Sequence, residues 1–250
     1  MTTETKPTNK DLIKRLFDAG AHFGFQKSRR HPTVKPYLFG AKQGTDIFDL
    51  EKTSALIEEA KEVLKTAGSE GKVVLFVGTK DEVTRLTKAA AEKVEAPYVV
   101  NRWIGGMITN FGEIKKRLAR LASLTEEGES GELERKYTKK ERVLIGRETE
   151  KLSFNFGGIK ALEKTPDMLI VVDPRHDHIA VSEARDKGIK VIGIMSSDNN
   201  ISKVDYPVVL NDTLQPSVAL ALDELTSAYA EGKTAYTPKP ATDGARRRSR

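Results

Sequence analysis

The sequence contains no cysteine among its 250 residues. Within these residues, a disulfide framework and a thiolate metal site are therefore excluded. Long apolar runs are also absent. The longest, such as 73–77 and 168–172, span five residues, whereas a membrane-spanning helix needs about 20. The polar residues 1–10 lack the apolar core of a secretory signal. These absences lead us to expect a cytoplasmic protein.

Positive charge is unevenly distributed along the chain. Residues 1–40 contain eight Lys or Arg against three acids, and residues 233–250 contain six against one. The remaining 192 residues have 28 basic and 32 acidic groups, so the net charge of +6 arises from the two ends. This asymmetry favours a polyanionic partner contacted by the terminal segments. Solubilising charge on disordered tails is the alternative explanation.

Apolar runs alternate with helical patterns from residue 72 onward. The runs 73–77 and 168–172 are continuous and apolar, as expected for buried parallel strands. Further strands are predicted at 97–100, 191–195 and 206–210, with helices at 81–93, 177–187 and 214–229. Before this region, the patterns predict helices at 9–18 and 51–67 and a β-hairpin between them at 37–48. Such alternation predicts an α/β fold, a doubly wound and mostly parallel sheet with helices on both faces.

The interval from 108 to 155 interrupts this alternation. Ile114, Leu118 and Leu121 recur at helical spacing, and Thr138-Lys-Lys-Glu141 is a capping box that opens a second helix. The acidic stretch 125–134, which contains two glycines, is the predicted turn between the helices. We therefore expect an inserted antiparallel helical hairpin that projects from the domain.

These patterns divide the chain into four parts. A disordered N-terminus spans 1–8, the α/β domain spans 9–107 and 156–231, the helical hairpin occupies 108–155, and a disordered basic tail spans 232–250. The tail contains prolines and an arginine cluster but too few apolar residues to fold alone.

No catalytic motif is found in the sequence. Gly78-Thr79-Lys80 follows the first buried strand but matches neither common phosphate-loop consensus. His176 and His178 are two residues apart at a helix start, which does not suit a shared metal ion. We therefore expect no catalytic residue, no metal site and no cofactor. The rival hypothesis is an α/β enzyme that binds a phosphorylated small molecule near Thr79 and Asp173.

A stretch of basic residues near the N-terminus gives a stronger signal. Residues 26–36 contain four cations, two prolines and no acid, and aromatic side chains precede them. This composition suits phosphate contacts from a semi-rigid loop whose neighbouring rings stack on exposed bases, although an ordinary polar loop is the alternative. The candidate RNA-binding residues here are His22, Phe23, Lys27, Arg29, Arg30 and Lys35.

A second group of candidates lies in the hairpin and just before it. Residues 135–147 contain six Lys or Arg and one Glu. A helix with so little apolar surface needs a partner or many ion pairs, although a run of charged residues ordinarily forms a solvated face. The single tryptophan, Trp103, has a similar alternative, since a lone tryptophan ordinarily packs in a core. The candidates for RNA binding are Arg102, Trp103, Asn110, Lys115, Lys116, Lys139, Lys140 and Arg147. A scaffold that binds only protein through the hairpin is a further alternative.

Nine segments, taken in order, resemble one family, the ribosomal protein S2 family of the bacterial small subunit. Their order and spacing match from residue 11 to residue 230, and although each is weakly specific, nine in register are highly specific. They are AGAHFG at 19–24, KPYLFG at 35–40, FDLEKT at 48–53, VLFVGTK at 74–80, NRWIGG followed by TN at 101–110, TKKE at 138–141, GGI at 157–159, PD at 166–167 and DYP at 205–207.

The resemblance implies a flavodoxin-like sheet with an inserted coiled-coil hairpin and no catalytic residues. It implies a structural constituent of the small (30S) ribosomal subunit, bound to the ribosome in the cytoplasm between head and body. Its partners would be small-subunit (16S) ribosomal RNA and neighbouring ribosomal proteins, including the large multidomain protein that presents messenger RNA. Neither a membrane nor a small-molecule substrate is implied. The sequence departs from the family pattern at Phe25, Arg30, Asn101 and 196–199, and these departures concern individual contacts rather than the fold.

Overall fold

The computed structural model describes residues 9–236. The predicted disorder of residues 1–8 and of the arginine-rich end of the chain therefore concerns residues outside this range. Among the described helices, none is both long enough and apolar enough to cross a membrane.

The described chain begins with helix α1 (Asn9–Asp18) and a small antiparallel sheet. Its strands are β1 (Phe23–Gln26), β2 (Leu38–Lys42) and β3 (Thr45–Phe48), in the order β1-β3-β2. Gln43 and Gly44 have φ angles of 51° and 82° and make the tight turn between β2 and β3. The predicted β-hairpin is therefore confirmed, and β2 is left as an edge strand.

A second sheet forms the centre of the molecule. Its strands are β4 (Val74–Val77), β5 (Tyr98–Val99), β6 (Met168–Val172), β7 (Lys190–Met195) and β8 (Tyr206–Val209). All are parallel, in the order β5-β4-β6-β7-β8. Counted along the chain this order is 2-1-3-4-5, one of the common doubly wound arrangements. The prediction of a mostly parallel α/β sheet is confirmed.

Helices cover both faces of this sheet. They are α2 (Leu50–Ser69), α3 (Asp81–Lys93), α7 (His178–Asp186) and α8 (Gln215–Thr234). Phe76 and Ile170 point to the face covered by α1, α2, α3 and α8, whereas Leu75 and Leu169 point to the face covered by α7 and the start of the inserted segment. Successive strand residues face opposite sides, so strands buried on both faces are apolar throughout.

Helices α2 and α8 cross at a pair of glycines. A Cβ atom at Gly68 would overlap the backbone of Tyr229 and Lys233, and one at Gly232 would overlap the backbone of Lys65. Gly232 therefore serves close packing rather than ending the helix, and α8 continues to Thr234. The predicted helix end at 229 and the domain boundary after 231 both fall inside this helix, so residues 232–234 of the predicted disordered tail are helical.

The inserted segment between β5 and β6 consists of α4 (Phe111–Glu129), α5 (Glu132–Lys136) and α6 (Lys139–Phe156). Arg120 of α4 lies 3.4 Å from Glu148 of α6. The capping box is confirmed, since the Thr138 backbone N–H donates to Glu141 at 2.8 Å and the Glu141 N–H donates to the Thr138 hydroxyl. The predicted turn over 125–134 is too long. Gly131, with φ 72°, provides the left-handed reversal, so helix continues on both sides of it.

Candidate nucleic-acid interface

The basic loop after β1 is fastened to the body of the molecule. The Phe25 N–H donates to the Ser197 hydroxyl and the His31 N–H donates to the Ser197 carbonyl, both at 2.8 Å. The Lys27 N–H donates to the Gly44 carbonyl at 2.9 Å. Ser197 belongs to segment 196–199, which follows β7 and departs from the family pattern. This segment therefore fixes the loop that carries the candidate cations.

An exposed aromatic stack precedes this loop. The rings of Phe17 and His22 lie 4.5 Å apart and almost parallel, and the rings of His22 and Phe23 lie 4.0 Å apart. Phe17 is 58% exposed and Phe23 is 45% exposed. Burial lowers the pKa of His22 below its ordinary value and so favours the neutral imidazole. The stack therefore offers apolar ring surface rather than charge.

Three of the four cations in the loop are exposed to solvent. Lys27 and Lys35 form no ion pair within the described residues. The Arg29 guanidinium lies 4.5 Å from the centroid of the Phe25 ring and 3.6 Å from Asp198, yet its side chain is 55% exposed. Phe25, another departure from the family pattern, therefore supports Arg29 by a cation–π contact.

Arg30 has a different environment from its neighbours. Its guanidinium lies 3.4 Å from Asp46, whose side chain is completely buried. Burial raises the pKa of Asp46 above its ordinary value, and the charges of Arg30 and Lys27 oppose that shift. Arg30 is therefore engaged in neutralising a buried carboxylate. Arg30 therefore differs from the other three candidate cations, because a phosphate would have to compete with Asp46 for its guanidinium.

Phe39 is a further candidate that the sequence pattern did not single out. Its ring is 82% exposed on the edge strand β2, the largest exposure among the described large hydrophobic residues. The sequence did offer a signal, because Phe39 is an aromatic residue in a short β-hairpin. The buried side chains of this hairpin, Asp46 and Phe48, belong to its other strand, β3. An exposed ring on a basic segment is a stacking surface for an unpaired base.

The root of the inserted segment, residues 103–109, is organised around one buried carboxylate. Glu183 of α7 accepts hydrogen bonds from the Trp103 indole N–H at 3.1 Å and from the backbone N–H groups of Gly106, Ile108 and Thr109 at 2.8 to 3.1 Å. The Thr109 hydroxyl donates a fifth bond at 3.0 Å. Burial acts to raise the pKa of Glu183, but these hydrogen bonds outweigh it and hold the pKa below its ordinary value.

This arrangement leaves Trp103, a candidate for RNA binding, with little exposed surface. Trp103 is only 6% exposed, and it packs against the central sheet while its polar edge is occupied by Glu183. The neighbouring Arg102 and Asn101 are exposed, and the Asn101 amide donates to the Phe154 carbonyl near the end of α6 at 2.6 Å. Segment 101–109 therefore holds both ends of the inserted segment. Nothing in the sequence pattern distinguishes Glu183 from a surface glutamate.

Some cations of the inserted helices contact another side chain of the protein, and others form no ion pair within the described residues. Lys116 pairs with Glu113 at 2.6 Å, and the Lys115 ammonium lies 5.8 Å from the Phe111 ring. Within the described residues, no ion pair is formed by the exposed Lys139, Lys140, Arg147 and Lys151. Asn110 precedes α4 and is exposed, and its side chain makes no capping hydrogen bond.

The two groups of candidate residues lie in different parts of the fold. The first belongs to the loop after β1, and the second to the inserted segment and its root. Within residues 9–236, no hydrogen bond or ion pair joins the first group to the second. Each group is therefore a separate candidate surface.

The carboxyl ends of β4 and β6, where the rival hypothesis places a phosphate, are filled by the protein's own contacts. The Thr79 hydroxyl donates to Asp177 at 2.7 Å, and Lys80 lies 3.4 Å from Asp173 and 4.0 Å from Asp212. Two carboxylates thus lie beside the Lys80 ammonium and a third carboxylate occupies Thr79, which disfavours an anionic ligand. Among the described residues, no group of three His, Asp or Glu is arranged to hold a metal ion.

Comparison with known proteins places these surfaces in context. A family model described as "Ribosomal protein S2" matches residues 16–232. The chain is also similar to proteins described as "Small ribosomal subunit protein uS2". That of Helicobacter hepaticus is 40% identical over 222 residues, which are 89% of this chain and 84% of the relative. That of Dictyoglomus thermophilum is 40% identical over 222 residues, with coverages of 89% and 90%. That of Acidothermus cellulolyticus is 40% identical over 232 residues, with coverages of 93% and 84%.

Proposed function

Since this chain belongs to the ribosomal protein S2 family and has a structural role in the small ribosomal subunit, we propose that it binds 16S ribosomal RNA through the loop after β1. One observation carries the proposal, namely the three exposed cations Lys27, Arg29 and Lys35 on a loop fastened to the body. Cations held on a fixed backbone lose little conformational freedom when they meet phosphates. The exposed rings of Phe23 and Phe39 would stack on unpaired bases.

The inserted segment provides the second proposed contact region. Arg102, Asn110, Lys115, Lys116 and Lys139 are exposed and would contact RNA. We assign Lys140 and Arg147 to contacts with RNA or with neighbouring ribosomal proteins. Arg30 would position the loop through Asp46 rather than bind a phosphate directly, and His22 would shape the aromatic stack before the loop.

We also infer the finer description of the fold. The strand order 2-1-3-4-5 is that of flavodoxin-like sheets. The buried Ile114 and Leu121 of α4 are seven residues apart, as are the buried Ile145 and Leu152 of α6. This repeat supports an antiparallel coiled-coil hairpin inserted in the sheet domain. On this basis the hairpin comprises 108–155, and the α/β domain comprises 9–107 and the residues from 156 to the end of α8 at Thr234.

The proposed place of the protein follows from its family. We infer a ribosome-bound protein in the cytoplasm, between head and body of the subunit, whose neighbours include the large multidomain protein that presents messenger RNA. The family is structural rather than enzymatic, and we propose no catalytic residue, metal, cofactor or small-molecule substrate for this chain. The crowded carboxylates around Lys80 support that choice over the rival enzyme.

Sedimentation tests the proposed function directly. Cell lysate is fractionated on a sucrose gradient, and the protein is detected across the fractions. We expect it in the small-subunit peak and in whole ribosomes, with release at high salt because the contacts to phosphates are electrostatic. Absence from the small-subunit peak at low salt would contradict the proposal.

Replacing Lys27, Arg29 and Lys35 with alanine should weaken binding to small subunits depleted of this protein by about a hundredfold. The slope of log affinity against log salt concentration should fall by about 2 to 3, since three phosphate contacts are lost. Binding is measured by titration at several salt concentrations. A matched control replaces Lys65, Lys88 and Lys93, three exposed lysines on α2 and α3, with alanine. Equal binding by the two triple variants would refute the role of the loop.

A further inference from the structure

A groove of about 540 Å³ lies at the amino ends of β4 and β5, the edge of the central sheet opposite to Lys80. Its volume is within the range of small-ligand sites. Two of the contributing segments directly precede β4 and β5, and a third leads from α6 into β6. The apolar side chains that line it are Val73, Ala96, Pro97, Ala161 and Leu162. We call this site the β4–β5 groove.

Two carboxylates without an ion pair also line the β4–β5 groove. They belong to the exposed Glu95 and Glu163, and neither forms an ion pair within residues 9–236. Two lysines share the lining. Lys164 lies 3.0 Å from Asp167, whereas Lys115 has no carboxylate partner in the described part of the chain. A fitting occupant is therefore apolar in part and positively charged in part.

The described chain ends beside this groove. The Tyr236 ring packs so closely on Gly71 that a Cβ atom added there would lie 2.6 Å from the ring. Gly71 is two residues before Val73, a separation of at most about 7 Å. Near the end of α8, the Lys233 ammonium donates to the Val94 carbonyl at 2.7 Å, in the segment that leads into β5. The residues after 236 therefore start next to two of the segments that line the groove.

We propose that the β4–β5 groove is the docking site of the chain's own segment 237–241, Thr-Pro-Lys-Pro-Ala. Pro238 and Pro240 favour the extended polyproline II conformation, which is already ordered before it enters an apolar groove. Ala241 follows Pro238 by three residues, one turn of such a helix, so both lie on the same edge. The two prolines and the alanine thus supply the apolar surface that the groove lacks.

The charge of the remaining chain complements the groove as well. Residues 237–250 contain five Lys or Arg and one acid. Lys239 stands between the two prolines, and the arginines begin at 246, at most about 20 Å of extended chain after Pro240. Glu95 and Glu163 attract these cations. Docking would hold this positive charge beside the inserted segment rather than let it spread around the molecule.

Other occupants of the groove are less favourable. RNA would bring its phosphates against the two unpaired carboxylates. A segment of another protein, or of a second copy of this chain, would lose translational and rotational freedom on binding, whereas a segment of the same chain does not. Its effective concentration reaches millimolar values over a short linker. The inference does not depend on the proposed function, because both surfaces belong to one chain.

Paramagnetic NMR of the full-length protein tests the docking. The chain has no cysteine, so Thr242→Cys gives one site for a nitroxide label directly after the docked segment. The label broadens the amide resonances of residues near it. We expect strong broadening at Val73 and Ala161. Broadening should be weak at Ser69, which is exposed and as near to Gly71 along the chain as Val73 is.

Reversing the charge of the groove should release the segment. Glu95→Lys with Glu163→Lys should lower the broadening at Ala161 about fivefold, because attraction becomes repulsion. The matched control is Glu59→Lys with Glu62→Lys, which makes the same change of net charge on the exposed side of α2. This control should leave the broadening at Ala161 unchanged. The positions of the other amide resonances show that each variant is folded.

Pro238→Ser with Pro240→Ser leaves the groove itself intact, since both residues lie in the docked segment. It should lower the broadening at Ala161 by about the same factor, because the preformed conformation and the apolar contact are lost. Equal broadening at Ala161 and Ser69 would overturn the inference, as would a broadening that either pair of variants leaves unchanged. An isotope-labelled chain without cysteine, mixed with spin-labelled chain, should show no broadening. Broadening there would assign the groove to a second copy and overturn the inference too.

Discussion

Replacing Glu183 with glutamine should lower the free energy of unfolding by about 3 kcal/mol, because buried donors would lose their charged acceptor. Both carboxylate oxygens of Glu183 accept hydrogen bonds, one from Trp103 and Gly106 and the other from Ile108 and Thr109. The amide of glutamine would place an N–H₂ group against at least two of these N–H donors. The melting temperature should fall by on the order of 10 °C.

The pH dependence of this effect has a defined sign. Hydrogen bonding holds the pKa of Glu183 below its ordinary value despite burial. A carboxylate with a depressed pKa contributes stability above its pKa in the unfolded chain and loses that contribution as the pH falls through its pKa in the folded protein. The difference in unfolding free energy between the natural protein and Glu183→Gln should therefore be full at pH 7 and should shrink in acid.

Trp103, the single tryptophan of the chain, serves as the fluorescent probe in both measurements. Its fluorescence in urea titrations gives the unfolding free energy, and its quenching by acrylamide in the folded state gives the exposure of the hairpin root. Asp186→Asn on the same helix is the control, since Asp186 is exposed. A Glu183→Gln protein as stable as this control, with equally protected tryptophan, would show that the carboxylate does not organise the root.

The second large effect concerns Asp212, where we expect replacement by asparagine to stabilise the protein above pH 7 by about 4 kcal/mol. Asp212 is completely buried, and burial together with the charge of Asp173 raises its pKa to about 7, although Lys80 opposes the shift. One of its oxygens has no hydrogen-bond partner among the described residues. Ionising this carboxyl in the folded protein is therefore costly, and an asparagine avoids that cost.

The effect of Asp212 on stability changes with pH in the opposite direction to that of Glu183. Its folded pKa of about 7 lies above the ordinary 3.8, so the folded state binds more protons between these values and its stability falls as the pH rises through them. Urea unfolding at a series of pH values should show that the advantage of Asp212→Asn grows from near zero at pH 4 to its full size at pH 8. Asp223→Asn, an exposed position on α8, should show no such growth. An advantage that is constant with pH would contradict the assigned pKa.

The central sheet was predictable from the sequence because its strands are buried on both faces. The run 168–172 is apolar throughout, and its two ends are visible in the sequence because an aspartate stands on either side of it. The capping box at Thr138 was equally local, since its two side chains bond to backbone groups three residues away. Features that depend on nearby residues can be derived from spacing alone.

The candidate site was predictable only in part. The exposed cations Lys27 and Lys35 follow from composition, but the ion pair of Arg30 depends on Asp46, sixteen residues later. The burial of Trp103 depends on Glu183, eighty residues later on another helix. Contacts over such distances leave no periodic signal in the sequence.

The crossing of α2 and α8 has a consequence for the order of synthesis. Strand β4 pairs with β6 only after the whole inserted segment has been made, and α2 finds its glycine contact only when Gly232 has emerged. The N-terminal half therefore completes its part of the core only when these later segments are present. Pairing over such separations is slow because the loops must close first. We expect the domain to complete its fold only after α8 has been synthesised, before the protein joins a ribosome as a component.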